Sequence, residues 1–196
     1  PDLVILPGTK NTMEDLLWLR QSGLEAAILK LAAQGTPVFG ICGGFQMLGQ
    51  ELHDPHGVEH GGSLKGLGLL PTVTVFGSEK TRTQVSGRTG DWSQTIFPEL
   101  SDTPYEGYEI HMGQTNILCE SNKTCGLNQT TKSHKPEDNT AAHDGKDAAI
   151  HFGSIETRNG TSCKEEQGCC AGNVFGTYLH GVFDHSQMAQ RLVDGL

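Results

Sequence analysis

Residues 36–49 read TPVFGICGGFQMLG, which places an apolar strand, a glycine-flanked cysteine and a helix in direct succession. Residues 37–41 are apolar enough to form a strand that is buried on both faces, as in a parallel sheet. The residues from 43 to about 52 have the apolar spacing of a helix. Cys42 is therefore predicted to lie at a sharp bend between strand and helix, the layout of a nucleophile elbow.

The residues before this stretch predict a second buried strand followed by two helices. The apolar run 3–6 ends at a glycine-containing loop, and residues 12–21 have helical periodicity. Ser22 begins a capping-box pattern that opens a helix through residue 34, and Gly35 is the expected stop signal. Strands that alternate with helices predict an α/β fold with an open, mostly parallel sheet flanked by helices.

The middle of the chain has a different pattern. Short apolar segments predict antiparallel additions to the sheet at residues 67–70, 73–76 and 108–111. Residues from about 116 to 172 are polar, and only 148–152 and residue 155 look strand-like. The stretch predicts an insertion built mainly of loops within a single domain that spans 1–196. The run 174–179 predicts a last strand that ends at His180, and a helix follows from Ser186.

Composition excludes two classes of partner. The chain has 23 acidic and 14 basic residues and a formal charge of -9, whereas a nucleic-acid-binding domain needs a basic face. No apolar run approaches the roughly 20 residues that span a bilayer. No signal peptide is recognised and the chain begins in a strand-like run, so we expect a cytoplasmic protein and a domain truncated at its N-terminus.

Five of the six cysteines lie within or beside the polar stretch. They are Cys119, Cys125, Cys163, Cys169 and Cys170. Their spacing is not CxxC, so we expect that the chain binds no metal and no cofactor, with a zinc site as the alternative.

Cys42 is the candidate nucleophile. The helix that starts beside it would favour a thiolate, and backbone N–H groups at the bend could hold an oxyanion. The alternative is a buried structural cysteine. A nucleophilic cysteine needs a base, and His180 is the first choice because its strand ends at the same sheet edge. His111, which also ends a strand, is second, and His180 could instead be a structural histidine at a strand end.

These motifs, taken in order, resemble the glutamine amidotransferase domains of the cobyric acid synthase family. The matching stretches are PDLVILPGTKNTMEDL (1–16), TPVFGICGGFQMLG (36–49), LKGLGLLP (64–71), EKTRTQVSG (79–87), YEGYEIHMGQT (105–115) and NVFGTYLHGVFD (173–184). The resemblance covers nearly the whole chain outside the polar stretch. It implies a flavodoxin-like class I amidotransferase fold.

The resemblance also implies roles for particular residues. Cys42 would form a glutamyl thioester and His180 would act as its base. Gly8 or Thr9, together with Gly43, would supply N–H groups to the oxyanion. A further polar residue, Gln46, would lie near L-glutamine.

The released ammonia would pass to an N-terminal ATP-dependent synthetase domain that lies before this chain. With ATP and magnesium, that domain would amidate four carboxylates of a corrin, adenosylcobyrinic acid a,c-diamide. Two other acceptors remain open, namely the substrate of cobyrinic acid a,c-diamide synthase and a cell-wall lipid precursor.

One position departs from the pattern of related amidotransferases. Most of them have a glutamate two residues after the catalytic histidine, and here Val182 stands at that position. The site would then be a Cys–His dyad, or Asp184 or Glu109 would orient the ring. The same departure leaves a catalytically silent binding domain as an alternative.

Overall fold

The structure is a computed structural model that describes residues 1–118, 149–184 and 186–196. The helices are α1 (Thr12–Ser22), α2 (Leu24–Ala33), α3 (Gly43–Leu48) and α4 (Ser186–Gly195). The strands are β1 (Val4–Leu6), β2 (Val38–Ile41), β3 (Glu51–Asp54), β4 (Gly62–Lys65), β5 (Thr72–Thr89), β6 (Pro104–Ile117), β7 (Gly153–Arg158), β8 (Thr161–Gln167), β9 (Cys169–Ala171), β10 (Val174–Thr177) and β11 (Leu179–His180). Within the described ranges, every helix is too short or too polar to cross a membrane.

The predicted parallel sheet is confirmed in the order β1-β2-β10-β9. The first three strands run parallel, and β9 pairs antiparallel with β10 at the edge. Leu6 and Gly176 both lie level with Gly40 on β2. The carboxyl ends of three strands therefore meet at one edge, where open α/β sheets bind ligands.

A second sheet, largely antiparallel, packs beside the first in the order β11-β6-β5-β3-β4, and β7 and β8 extend it from β5. Its main feature is the long β5–β6 pair, whose register shifts between Val75 and Lys80. The predicted strands at 73–76 and 108–111 are confirmed as parts of this pair. Residues 67–70 form no strand, because their backbone N–H groups donate to the carbonyls of residues 47–49 at the C-terminal end of α3.

Three local predictions about the helices have different outcomes. Gly35 follows α2 with φ 90°, which confirms the glycine stop. The capping box at Ser22 is wrong, since its hydroxyl donates to Leu19 O and Gly23 caps α2 in a left-handed conformation. The helix after Cys42 ends at Leu48 rather than near residue 52. The backbone N–H of Gln50 donates to Thr72 O instead of continuing the helix, and strand β3 follows.

The polar stretch contains more regular structure than predicted. Residues 153–171 form β7, β8 and β9, which confirms the strand near residue 155 and shows that the interpretation of the rest of this part as loops is wrong. Within 149–152, Ile150 forms an isolated bridge rather than the predicted strand. The hairpin β7–β8 pairs with β5, and that distant partner leaves no periodic signal in the polar sequence. Residues 119–148 lie outside the described residues, and the boundaries of the insertion stay a prediction.

The predicted final strand is divided between the two sheets. Its first part, β10, ends at Thr177, and β11 then pairs with β6 in the second sheet. Thr177 assists the change, since its hydroxyl accepts from Leu179 N at 3.1 Å. His180 consequently lies beside the carboxyl edge of the first sheet, while its backbone is paired in the second sheet.

Candidate active site

Cys42 occupies a strained bend between β2 and α3. Its φ of 52° and ψ of −109° are unusual for a residue with a side chain, and such strain is common at functional sites. A Cβ on Gly44 would lie 2.0 Å from Leu6 O, and one on Gly40 would lie 2.7 Å from the backbone of Phe45. Only glycine fits at these two positions, which confirms the elbow predicted from the sequence.

The Cys42 thiol is buried in its resting conformation, with 7% of the residue exposed. Burial raises its pKa above the ordinary value, and the lowering effect of the Gly43 N–H does not compensate. The start of α3 favours the thiolate in the expected direction, but α3 has only six residues and desolvation has the larger effect on the pKa. Instead, Sγ donates to Ile110 O at 3.4 Å, and nucleophilic attack requires a base.

Two histidines line the cavity beside Cys42. The His180 ring packs against Gly8, where a Cβ would lie 3.0 Å from Cε1 of the ring and 3.4 Å from Cβ of Cys42. Its Nε2 is buried and has no hydrogen-bond partner among the described residues. An imidazole nitrogen with open hydrogen-bonding capacity beside the thiol has the chemistry of a general base.

His111 reaches the same cavity from β6. Its ring stacks on Tyr178 with centroids 3.8 Å apart, and Nδ1 lies 3.0 Å from Gly113 O. Nδ1 must carry the proton to donate to that carbonyl, which leaves Nε2 as an acceptor. Burial lowers the pKa of His111, so the ring is neutral at physiological pH.

Neither candidate carboxylate holds the His180 ring. Glu109 is buried, and its Oε2 accepts from Arg158 and Thr83. Asp184 is exposed and lies near Gly181. In the described part of the chain, neither side chain bonds to the imidazole of His180, and Val182 packs in the apolar core. The Cys–His dyad therefore stays a prediction.

The loop after β1 brings the predicted oxyanion donors together. A Cβ on Gly43 would lie 3.0 Å from Thr9 N, so the Thr9 and Gly43 backbones approach closely. Neither amide donates to a backbone carbonyl of the described residues. Thr9 lines the cavity, whereas Gly8 packs against the two catalytic candidates. This geometry favours Thr9 over Gly8 as the partner of Gly43.

Gln46 forms the inner wall of the cavity. Its Oε1 accepts from the Thr12 hydroxyl at 2.9 Å. Its Nε2 donates to Met112 O at 3.1 Å and lies 3.2 Å from the Tyr178 hydroxyl. With its amide fully engaged, Gln46 shapes the cavity and has little capacity left for a ligand.

The cavity has a volume of about 290 Å³ and includes residues that the sequence did not indicate. These are Lys10, Thr12, Val58, Glu59, Lys80, Ile110 and Met112. Glu59 follows β3 in a polar, glycine-rich loop, and Lys80 lies in the middle of β5. No local sequence signal distinguishes these two from ordinary surface charges, because only tertiary contacts bring them to Cys42.

The other cysteines that the structure describes do not line this cavity. Cys169 and Cys170 are buried, each in a different cluster of apolar side chains in the core. Burial raises the pKa of Cys169 to about 12. Cys163 lies on β8, while Cys119 and Cys125 lie outside the described residues. Within the ranges that the structure covers, no three metal-binding side chains cluster.

A parallel sheet with a strained cysteine at its carboxyl edge, and with histidines in the same cavity, is typical of α/β enzymes that use a cysteine nucleophile. Comparison with family models then specifies the family. The chain belongs to the CobB/CobQ-like glutamine amidotransferase domain family, whose model matches residues 1–188.

Curated relatives agree with this assignment. Cobyric acid synthase from Ruminiclostridium cellulolyticum is 44% identical over 196 residues, which cover 100% of this chain and 33% of the relative. Cobyric acid synthase from Lachnoclostridium phytofermentans is 45% identical over 196 residues, which cover 100% of this chain and 34% of that relative. The chain thus spans about a third of the length of the curated relatives it matches.

A solved structure supports the fold alone. The crystal structure of a glutamine amidotransferase aligns with a TM-score of 0.51 at 14% identity, covering 97% of this chain and 76% of that chain.

Proposed function

We propose that this domain hydrolyses L-glutamine through a thioester on Cys42, with His180 as the base, and supplies ammonia to an ATP-dependent synthetase. The observation that carries the proposal is the strained Cys42 facing a cavity that both His180 and His111 line. An elevated thiol pKa is consistent with this mechanism, since the proton then has to be removed as the sulfur attacks.

In the first step the Cys42 sulfur bonds to the carboxamide carbon of glutamine while its proton moves to His180. The carbonyl oxygen becomes an oxyanion, which the N–H groups of Thr9 and Gly43 would stabilise. The imidazolium then returns the proton to the leaving nitrogen, the C–N bond breaks and ammonia departs. Water attacks the thioester with the histidine again as base, and glutamate and free thiol result.

The acceptor proposal rests on the relatives named cobyric acid synthase. Ammonia would attack corrin carboxylates that ATP activates as acyl phosphates, giving an amide and inorganic phosphate. ATP and magnesium would act in the synthetase domain and not on residues of this chain. The substrate of cobyrinic acid a,c-diamide synthase and a cell-wall lipid precursor remain alternative acceptors.

The test uses 6-diazo-5-oxo-norleucine, an electrophilic mimic of glutamine, with intact-mass detection of the labelled protein. The unsubstituted protein should acquire one label, and the substitution Cys42→Ala should abolish it. His180→Ala should slow labelling by about 10²- to 10⁴-fold if the imidazole is the general base. His111→Ala is the matched histidine variant, and an equal loss there with none in His180→Ala would exchange their roles.

A second candidate function is a binding domain without catalysis. The observation that favours it is Val182, which is buried where related enzymes have a glutamate, together with the bond from Cys42 to Ile110 O. That function predicts reversible binding of glutamine and no label on Cys42.

A further inference from the structure

The cavity beside Cys42 carries opposite charges that the chemistry at the sulfur does not use. Glu59 enters it from the loop after β3, while Lys10 and Lys80 enter from the loop after β1 and from β5. Among the described residues, none of these three forms an ion pair. The cavity therefore offers one negative and two positive groups to a ligand.

Glu59 is held with one carboxylate oxygen engaged and the other open. Its Oε2 accepts from Met13 N at 3.0 Å, at the start of α1. Burial raises the pKa of this carboxyl and the nearby Thr12 side chain lowers it, while Oε1 accepts no hydrogen bond from the residues that the structure describes. The side chain is half-buried, so a cation bound by that oxygen would be partly shielded from water.

Asp54 fixes the loop that carries Glu59. Its buried carboxylate accepts from the backbone N–H groups of Val58, Glu59, His60 and Gly61 at 2.8–3.1 Å. Four charge-assisted bonds to one carboxylate restrain the backbone of this loop. Glu59 is thus presented to the cavity by a rigid support, which binding sites require.

Lys80 is positioned by the sheet. It follows the register shift in β5 and pairs with Met112 on β6, which also lines the cavity. The charge of Lys80 lowers the pKa of Cys42 and that of Glu59 raises it, so both charges lie near enough to act on the sulfur. Lys80 is therefore the better placed of the two lysines.

We propose that Glu59 binds the α-ammonium group and Lys80 the α-carboxylate of free glutamine, so that the site accepts the free amino acid and rejects glutamine within a peptide. The inference rests on the proposed glutamine hydrolysis. Free glutamine carries both charges, whereas a peptide-bound residue has neutral amides in their place and would leave Glu59 and Lys80 unpaired. A site built on paired charges discriminates strongly against a ligand that lacks them.

The test compares 6-diazo-5-oxo-norleucine with its N-acetyl derivative and its α-carboxamide, using the complete gene product. The N-acetyl compound lacks the ammonium group, and the carboxamide lacks the carboxylate. Wild-type protein should label about 10- to 100-fold faster with the parent compound than with either derivative, the range for one charge-assisted hydrogen bond.

Each variant should lose one preference and keep the other. Glu59→Gln should label equally well with the parent and N-acetyl compounds, and Lys80→Met should lose only the preference over the carboxamide. Glu79→Gln is the matched control, because Glu79 precedes Lys80 but does not line the cavity. Since Glu59 also contacts α1, the exposed Lys80 provides a variant with little risk to folding.

The outcomes separate this inference from the proposed function. If the wild type reacts equally with all three compounds, or if both variants keep both preferences, the assignment of Glu59 and Lys80 is wrong while hydrolysis at Cys42 stands. If the parent compound does not label Cys42 at all, the proposed function fails and this inference fails with it.

Discussion

Replacing Gly8 with alanine should slow the chemistry at Cys42 while the fold stays intact. The added Cβ would lie 3.0 Å from Cε1 of His180, which is tighter than an ordinary contact and would displace the ring by a few tenths of an ångström. Misplacement of a catalytic group by about 1 Å costs about 10²-fold in rate. We therefore expect labelling by 6-diazo-5-oxo-norleucine to slow by about 10-fold.

The stability of Gly8→Ala should change little. Gly8 is exposed and its φ lies outside the left-handed region, so alanine can adopt the backbone conformation. Alanine also restricts the unfolded chain, which contributes about 0.4–1 kcal/mol in favour of the folded state. The free energy of unfolding, measured in urea, should stay within about 1 kcal/mol of the parent value.

Gly77→Ala is the control, because a Cβ there meets nothing within 4 Å and the residue lies away from the cavity. It should match the parent in both labelling rate and stability. The placement of the His180 ring is refuted if Gly8→Ala labels at the parent rate. It is equally refuted if the slower rate is accompanied by a large loss of stability.

Three further expectations concern the elbow, the Glu59 loop and the thiol. Gly44→Ala should lose more than about 3 kcal/mol of unfolding free energy in urea, because its Cβ would lie 2.0 Å from Leu6 O; near-parent stability would contradict the packing of strand on helix. Burial opposes ionisation of Asp54, but the four N–H groups that donate to its carboxylate hold its pKa below the ordinary value. Asp54 therefore contributes to the free energy of unfolding above about pH 4, and this contribution is lost as the pH falls through the pKa of the folded state. Asp54→Asn should therefore cost about 1–3 kcal/mol at neutral pH and flatten the acid limb of the stability curve; an unchanged acid limb would remove Asp54 from that role. Alkylation of Cys42 by iodoacetamide should rise with pH to a midpoint above the ordinary thiol value because burial raises its pKa, and a midpoint below neutrality would contradict the protonated resting state.

The local part of the active site follows from short stretches of sequence. The apolar run before Cys42 and the glycines around it specify a buried strand, a tight bend and a helix start, since each depends on neighbouring residues alone. His180 was recognised for the same reason, as the residue that follows an apolar run, although its pairing with β6 in the second sheet was not. These predictions needed no knowledge of distant partners.

The remaining features depend on pairing across the chain. Helix α3 stops early because the residues after it form β3, which pairs with β5. The polar strand β7 forms because it pairs with β5, and β8 in turn pairs with β7. His111 was recognised at a strand end, but its stacking on Tyr178 follows from the way β10 passes into β11. Such pairing energies come from contacts distant in sequence, and a single segment carries no record of them.

The amino-acid sequence by itself determined a parallel α/β fold and a cysteine at its carboxyl edge, because hydrophobic runs and glycine conformations act locally. Only the tertiary structure decided that the resting thiol is protonated and that Glu59 and Lys80 face it. Desolvation and charge proximity depend on which distant segments surround an atom, and packing alone sets both.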